Sequence, residues 1–352
     1  MRIGQLLTSS AAVTVDSLLA RSKAVAARGM NSAWTNQQPG GWDPLGVFGP
    51  LRDEGPAELG TAIVPTYLRH PVVMATEALT VQAATGGRLT LGIGPSHEIA
   101  MTGQFGIPYT ASASHTREYL EVLRPLLRGE HVRYSGRFFT VDTQLAVEAK
   151  PPPVLIAALG PRMLQIAREL ADGTIAVWVR PDTVADYLVP RAGDGKRVVV
   201  MVMVSVTDDP DAVRAEIARN YGSVGELPAY RAVLDRGGLS SPADTVVAGS
   251  ETAVLRELRR FRDAGATDLV VSALGQPDER ERVLDVIAQA RLGNAVQALP
   301  LAAGVGHPLL VPLPERVVVA RALERVLALA VPAADEPEAQ AKERRHPQVR
   351  LP

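Results

Sequence analysis

The chain has 352 residues, 46% hydrophobic and 21% charged, enough to bury the core of one enlarged α/β domain. Its formal net charge of −1 and pI of about 6.6 exclude bulk attraction to nucleic acid or an anionic membrane. It contains no cysteine, which excludes disulfides, thiolate nucleophiles and cysteine-bound metal centres.

Met1–Leu7 lacks the apolar stretch of a signal peptide and runs directly into a strand pattern over Arg2–Leu7. No apolar run reaches the roughly 18 residues of a membrane span, so a cytoplasmic protein with no membrane or nucleic-acid partner is expected. Thr14 is placed to cap a helix over Val15–Arg28, whose apolar positions share one face. Ser32–Asn36 reads as a second strand, Trp42–Leu51 as a short helix and Leu59–Val64 as a third strand. Pro71 opens a helix that runs to Thr85, and the continuous apolar run Arg88–Gly94 has the character of a buried parallel strand. A helix over His115–Leu127 and a hairpin over His131–Val141, turning at Ser135-Gly136, form an insertion. Strands at Val154–Ala158, Thr174–Val179, Arg197–Ser205 and Asp268–Ser272 then alternate with helices at Arg162–Leu170, Pro210–Tyr221, Glu251–Ala264 and Glu279–Arg291.

Eight strands alternating with helices predict an α/β fold, a (β/α)₈ TIM barrel with its insertion after the fourth strand. An open doubly wound sheet is the rival, but no Gly-x-Gly-x-x-Gly turn follows the first strand. The barrel is expected over residues 1–291. Residues 292–352 read as an extension, helical over 315–330 and disordered at its end.

Active sites of such barrels lie at the C-terminal ends of the strands. After the fourth strand stands Gly92-Ile93-Gly94-Pro95-Ser96-His97-Glu98, where glycines admit a ring close to the backbone, Ser96 offers a hydrogen bond and His97 can carry a proton near neutral pH. A tight turn with a solvent-facing histidine is the plainer reading. After the fifth strand, Ala157-Ala158-Leu159-Gly160-Pro161-Arg162 begins a helix whose free N–H groups, with the Arg162 charge, suit an anion. An ordinary helix start with a solvated arginine competes with it. Asn36 and Gln37 close the second strand with hydrogen-bonding groups that do not titrate, and His70 reads as a helix-entry residue. None of the six histidines forms a His-x-x-x-His or Glu-x-x-His pair, so no metal site is expected.

Together these segments resemble the luciferase-like monooxygenase superfamily, and within it the oxidoreductases that use the deazaflavin coenzyme F420. The stretch Gly60–His97 carries the likeness, with Leu127–Glu130, Ser135–Phe139, Ala157–Leu164 and Ala171–Gly173 in support. The resemblance implies a (β/α)₈ barrel, a homodimer and a non-proline cis peptide at Ala62-Ile63 against the back of the ring. It implies the cofactor phosphate at Gly160-Pro161-Arg162, with Ala158 beside it, and Asn36, Gly94 and Ser96 bordering the ring. Sugar-phosphate dehydrogenases of the superfamily carry an acidic residue and a histidine after the second strand and a glutamate after the fourth, where Asn36, Gln37 and His97 stand here, which argues against that substrate. The expected activity is hydride transfer between F420 and a small organic molecule, with His97 as the proton-transfer group. An FMN-dependent two-component monooxygenase and a non-catalytic cofactor-binding barrel are the alternatives. The loops Gln37–Asp43, Ile99–Ser114 and Ser223–Ser241 are expected to shape the substrate pocket.

Overall fold

The computed structural model describes residues 1–8 and 13–289. The expected 315–330 helix, the disordered end and the boundary after residue 291 lie outside the described residues.

Eight parallel strands close on themselves. In chain order the elements are β1 (Arg2–Leu7), α1 (Val15–Ala27), β2 (Ser32–Thr35), α2 (Pro44–Phe48), β3 (Glu58–Thr61), β4 (Val64–Pro65), α3 (Pro71–Ala84) and β5 (Leu89–Gly94). Then come α4 (Glu98–Phe105), α5 (Ser112–Leu127), β6 (Val132–Ser135), β7 (Thr140–Thr143), β8 (Val154–Ala157), α6 (Pro161–Leu170) and β9 (Gly173–Ala176). A π turn over Val184–Leu188 joins α7 (Pro181–Thr183) to α8 (Val189–Ala192). The chain continues with β10 (Arg197–Val206), α9 (Pro210–Gly225), α10 (Pro228–Arg236), β11 (Val247–Gly249), α11 (Glu251–Asp263), β12 (Asp268–Ala273) and α12 (Pro277–Gln289). The closed circuit is β1-β2-β3-β5-β8-β9-β10-β12, returning to β1. The hairpin β6–β7 stands apart as a separate antiparallel pair.

The elements form for local reasons. Thr14 accepts from the Ser17 N–H and caps α1; His70 does the same for α3, its side chain accepting from Val72 N–H at 3.3 Å, with Pro71 in the first turn. The third strand differs from the expected Leu59–Val64. It stops at Thr61 and resumes for two residues at Val64, because the chain swerves through Ala62-Ile63, whose peptide bond is cis. Two expected loops contain helices: α4 lies within Ile99–Ser114 and α10 within Ser223–Ser241.

Two layers fill the lower lumen. At the N-terminal end Arg2, Glu58, Arg197 and Asp268 interlock: Arg197 contacts Glu58 and Asp268 at 2.8 Å each, and Arg2 contacts Asp268 at 2.9 Å and Glu58 at 3.1 Å. Glu58, Arg197 and Asp268 are tolerable this far inside because each has an opposite partner, and Arg2 reaches them from the solvent edge. Above them the fully buried Trp34 packs with Leu155, Ile175, Val199 and Val270, its indole N–H donating to Ser32. Trp34 lies flat because β3 presents Gly60 to it; a Cβ there would stand 2.2 Å from the ring. Gly60→Ala is therefore expected to destabilise the fold by about 1–3 kcal/mol through overpacking, read as a lower urea midpoint at unchanged slope.

Candidate active site

The C-terminal mouth of the barrel begins where β3 leaves its ladder. The Ala62 N–H donates to Thr35 O at 2.8 Å and the Gln37 N–H to Ile63 O at 3.1 Å, so the swerve is tied to β2. On the other side the Thr61 hydroxyl donates to Gly92 O and accepts from Gly92 N–H, both at 2.8 Å. Ala62 and Ile63 join Leu6, Ile175 and Met201 in the apolar cluster around Trp34, making an uncharged floor. At its edge Gly94 leaves room: a Cβ there would stand 3.0 Å from Ala157 and 3.3 Å from Ile63.

Beside this floor β8 delivers the start of α6. Gly160 is its N-cap and provides no side-chain cap, so the first-turn N–H groups face outward with their partial positive charge. Arg162 is exposed and has no ion-pair partner among the described residues. Ala158 is buried just before this turn. The pair of features suits a phosphate.

Ser96 and His97 follow β5. Ser96 holds a left-handed backbone at φ 64°, unusual for a residue with a Cβ, and its carbonyl accepts from the Tyr109 hydroxyl at 3.1 Å. His97 is half-buried, and desolvation lowers its pKa below the ordinary 6.5. Its Nε2 lies 3.1 Å from the hydroxyl of Tyr230 on α10, a residue 133 positions away. Burial pushes the Tyr230 pKa up to about 12. A phenol that keeps its proton beside a neutral imidazole donates to Nε2, which leaves the Nδ1–H of His97 free to donate elsewhere.

The anticipated positions Asn36, Ala62, Ile63, Gly94, Ser96, His97, Ala158, Gly160, Pro161 and Arg162 thus all lie at the C-terminal ends of β2, β3, β5 and β8. Sequence reasoning missed Tyr230, Tyr109 and Trp178. The helix carrying Tyr230 lies inside a segment taken for a loop. A small pocket beside Ser96 is lined by Gln37–Gly41, Pro65, Leu68, Met101 and Phe105. Arg69 holds its rim: it donates to Gln37 at 2.8 Å and pairs with Asp43 and, at 2.9 Å, with Glu77. Among the described residues no group of three or more metal-ligating side chains comes together, and no helix is long and apolar enough to cross a membrane.

Residues 7–268 match the model of the luciferase-like monooxygenase family. The chain belongs to that family. Two relatives are 5,10-methylenetetrahydromethanopterin reductases. The one from Archaeoglobus fulgidus is 31% identical over 202 residues, covering 54% of this chain and 60% of the relative. The one from Methanopyrus kandleri is 23% identical over 286 residues, covering 66% and 81%. The chain thus spans 60% of the length of the Archaeoglobus protein, short of two thirds. Among solved structures, the coenzyme F420-dependent tetrahydromethanopterin reductase of Methanopyrus kandleri superposes with a TM-score of 0.70 at 22% identity, over 82% of this chain and 97% of that one. An F420-dependent secondary alcohol dehydrogenase gives 0.67 at 19%, and an FMN-containing type II Baeyer–Villiger monooxygenase from Pseudomonas putida 0.63 at 14%, each over 82% and 97%. These similarities establish the closed barrel.

This family member also carries a buried histidine at the side of the mouth. His115 stacks on Tyr67 with ring centres 3.9 Å apart, and desolvation lowers its pKa from 6.5 to about 4, against a smaller upward pull from Glu118. Between about pH 6.5 and 4 the unfolded chain binds more protons than the native one at this position, so stability falls as pH falls through that window. His115→Phe is expected to flatten that part of the profile, measured by urea unfolding at several pH values.

Proposed function

We propose that the chain is an oxidoreductase that transfers a hydride between coenzyme F420 and a small organic molecule. The observation that carries this reading is the pairing of an uncharged floor with an uncapped helix N-terminus one strand away. A flat ring fits against Ile63 and Gly94, and its phosphate fits the first turn of α6 with Arg162. The F420-dependent relatives and structural neighbours support the choice of cofactor. When bound, the deazaflavin supplies hydride chemistry at its ring carbon C5.

The residues divide the remaining work. Ala62 and Ile63 back the ring, and Asn36 and Ser96 border it from the ends of β2 and β5. Ala158 and Gly160 bring the backbone close to the phosphate, with Pro161 starting the helix and Arg162 neutralising the charge. His97 holds or delivers the proton that accompanies the hydride, through the Nδ1–H left free by Tyr230. Burial lowers its pKa, so the resting ring is neutral at pH 7; to give up the Nδ1–H it first takes a proton from solvent at Nε2, and it returns to neutral imidazole on transfer. A homodimer in the cytoplasm is part of the same reading.

A second reading keeps the site and exchanges the cofactor for reduced FMN with oxygen, favoured by the FMN-containing neighbour. Titration of the purified chain with reduced F420 and with reduced FMN separates the two. Submicromolar F420 binding with FMN weaker by tenfold or more is the expected outcome, and the reverse order overturns the proposal. Arg162→Glu should weaken F420 binding by about tenfold or more, the loss of one charge-assisted phosphate contact. His97→Ala should lower turnover by about 10²-fold while leaving cofactor affinity within twofold; unchanged turnover removes it from the reaction.

A further inference from the structure

A second cavity lies outside the site described above. It has a volume of about 570 Å³, within the range of small-molecule pockets, and is formed by β11, α11, the residue that starts α7 and segment 238–248. None of the residues assigned to the ring, the cofactor phosphate or the proton lines it. The buried Leu239, Val247 and Phe261 supply its apolar wall. Three arginines line the rest, each from a different element: Arg180 at the N-cap of α7, Arg214 on α9 and Arg256 on α11.

Two carboxylates also face this cavity, and both are engaged elsewhere. Asp244 accepts from the Ser240 and Ser241 N–H groups at 2.7 and 2.9 Å. Glu257 pairs with Arg260 at 3.0 Å, and Arg260 also holds Asp182. Neither Arg180 nor Arg256 has an ion-pair partner among the described residues. Arg214 pairs at 2.9 Å with Asp211 on its own helix, whose carboxylate is 92% exposed, a contact that water and salt screen. Guanidinium groups that share one concavity repel one another and concentrate positive potential in it. An anion there relieves the repulsion. Paired N–H donors from three elements suit a tetrahedral group with several outer oxygens better than a planar carboxylate with two.

We propose that this cavity binds a small organic phosphate ester, its phosphate held by Arg180, Arg214 and Arg256 and its organic body resting on Leu239, Val247 and Phe261. The site is separate from the Gly160–Arg162 anchor, and the proposal goes beyond the F420 reading without depending on it. The packed side chains Leu239, Trp178 and Tyr230 lie in succession between the cavity and His97: Leu239 clusters with Trp178, Trp178 meets the Tyr230 ring edge-on at 6.3 Å, and Tyr230 is hydrogen-bonded to His97. An ester held here is therefore a second ligand, not the hydride partner. Its binding breaks and forms no covalent bond.

The test is calorimetric titration of the full-length protein with phenyl phosphate at about pH 7.5, where a phosphate monoester is a dianion. Benzoate and phenol are the monoanionic and neutral controls. Because the start of α6 also suits a phosphate, the titration is made on the Arg162→Glu protein and repeated on the unaltered protein with F420 in excess. One site is expected in both. Phenyl phosphate should bind about tenfold or more tighter than benzoate, the size of one added charge-assisted contact. Arg180→Ala and Arg256→Ala, placed in the Arg162→Glu background, should each weaken it by about tenfold, and together by about a hundredfold. Both side chains are exposed, so these variants should fold. Arg256→Lys, which keeps the charge without the fork, should cost less than Arg256→Ala. Equal affinity for benzoate overturns the proposal, as does undiminished binding in the double alanine variant or loss of the site in Arg162→Glu alone. F420 affinity is titrated separately: its failure with the phenyl phosphate site intact in Arg162→Glu removes the hydride reading alone, and the converse removes this one alone.

Discussion

Closure of eight parallel strands is the constraint from which everything else in this molecule descends. A closed parallel sheet has no edge to aggregate through, but it has a lumen that side chains must fill. Here the filling comes in layers of different chemistry. Ion pairs among Arg2, Glu58, Arg197 and Asp268 seal the N-terminal end, Trp34 occupies the middle, and Ala62 with Ile63 tops the stack. Glu58, Arg197 and Asp268 are largely shielded from water, so removing one of these three would strand the others, while Arg2 closes the layer from the solvent side. The rigid plug leaves only the C-terminal mouth for chemistry, and it gives that mouth a flat apolar base.

The electrostatics of the mouth follow from where charge has been spent elsewhere. Arg69 is bound to Asp43 and Glu77, and Asp172 accepts from Val154 N–H at 2.7 Å while pairing with Arg124 at 2.5 Å. These charges brace loops and strand starts. Around the floor stand an imidazole whose pKa burial lowers, phenols that keep their protons, and the Arg162 guanidinium at the start of α6, which has no ion-pair partner among the described residues. A site so arranged separates two duties: a fixed positive end for an anionic anchor, and a neutral end where reacting atoms see little competing field.

Much of this was legible in the sequence. The continuous apolar run of β5, Pro71 and Pro161 at helix starts, and Thr14 before its helix each carry a local physical signal, and the elements formed where those signals stood. The strand-end rule alone led to His97 and to the Gly160–Arg162 turn. The break in the third strand was not readable from its apolar pattern, because Ala62-Ile63 keeps the hydrophobicity of a strand while changing its direction. Tyr230 was hidden for a different reason. Pro228–Arg236 is short and flanked by Pro and Gly-Gly, so it reads as a loop, and its contact with His97 spans 133 residues. Local pattern reports on a segment's own periodicity, whereas the site depends on which mouth segments converge.

The Thr61 hydroxyl, which donates to one backbone group of Gly92 and accepts from the other, has an implication for how such a floor can arise at all. When β3 veers off, its neighbour is left with an N–H and a C=O that a buried position cannot leave unanswered. A single side-chain oxygen with both valences stands in for the missing strand, like a splice in a torn seam. Valine has the same outline at that position and neither capacity. The swerve therefore leans on one oxygen atom, and exchanging that single heavy atom for a methyl carbon would be felt as a loss of register between two strands.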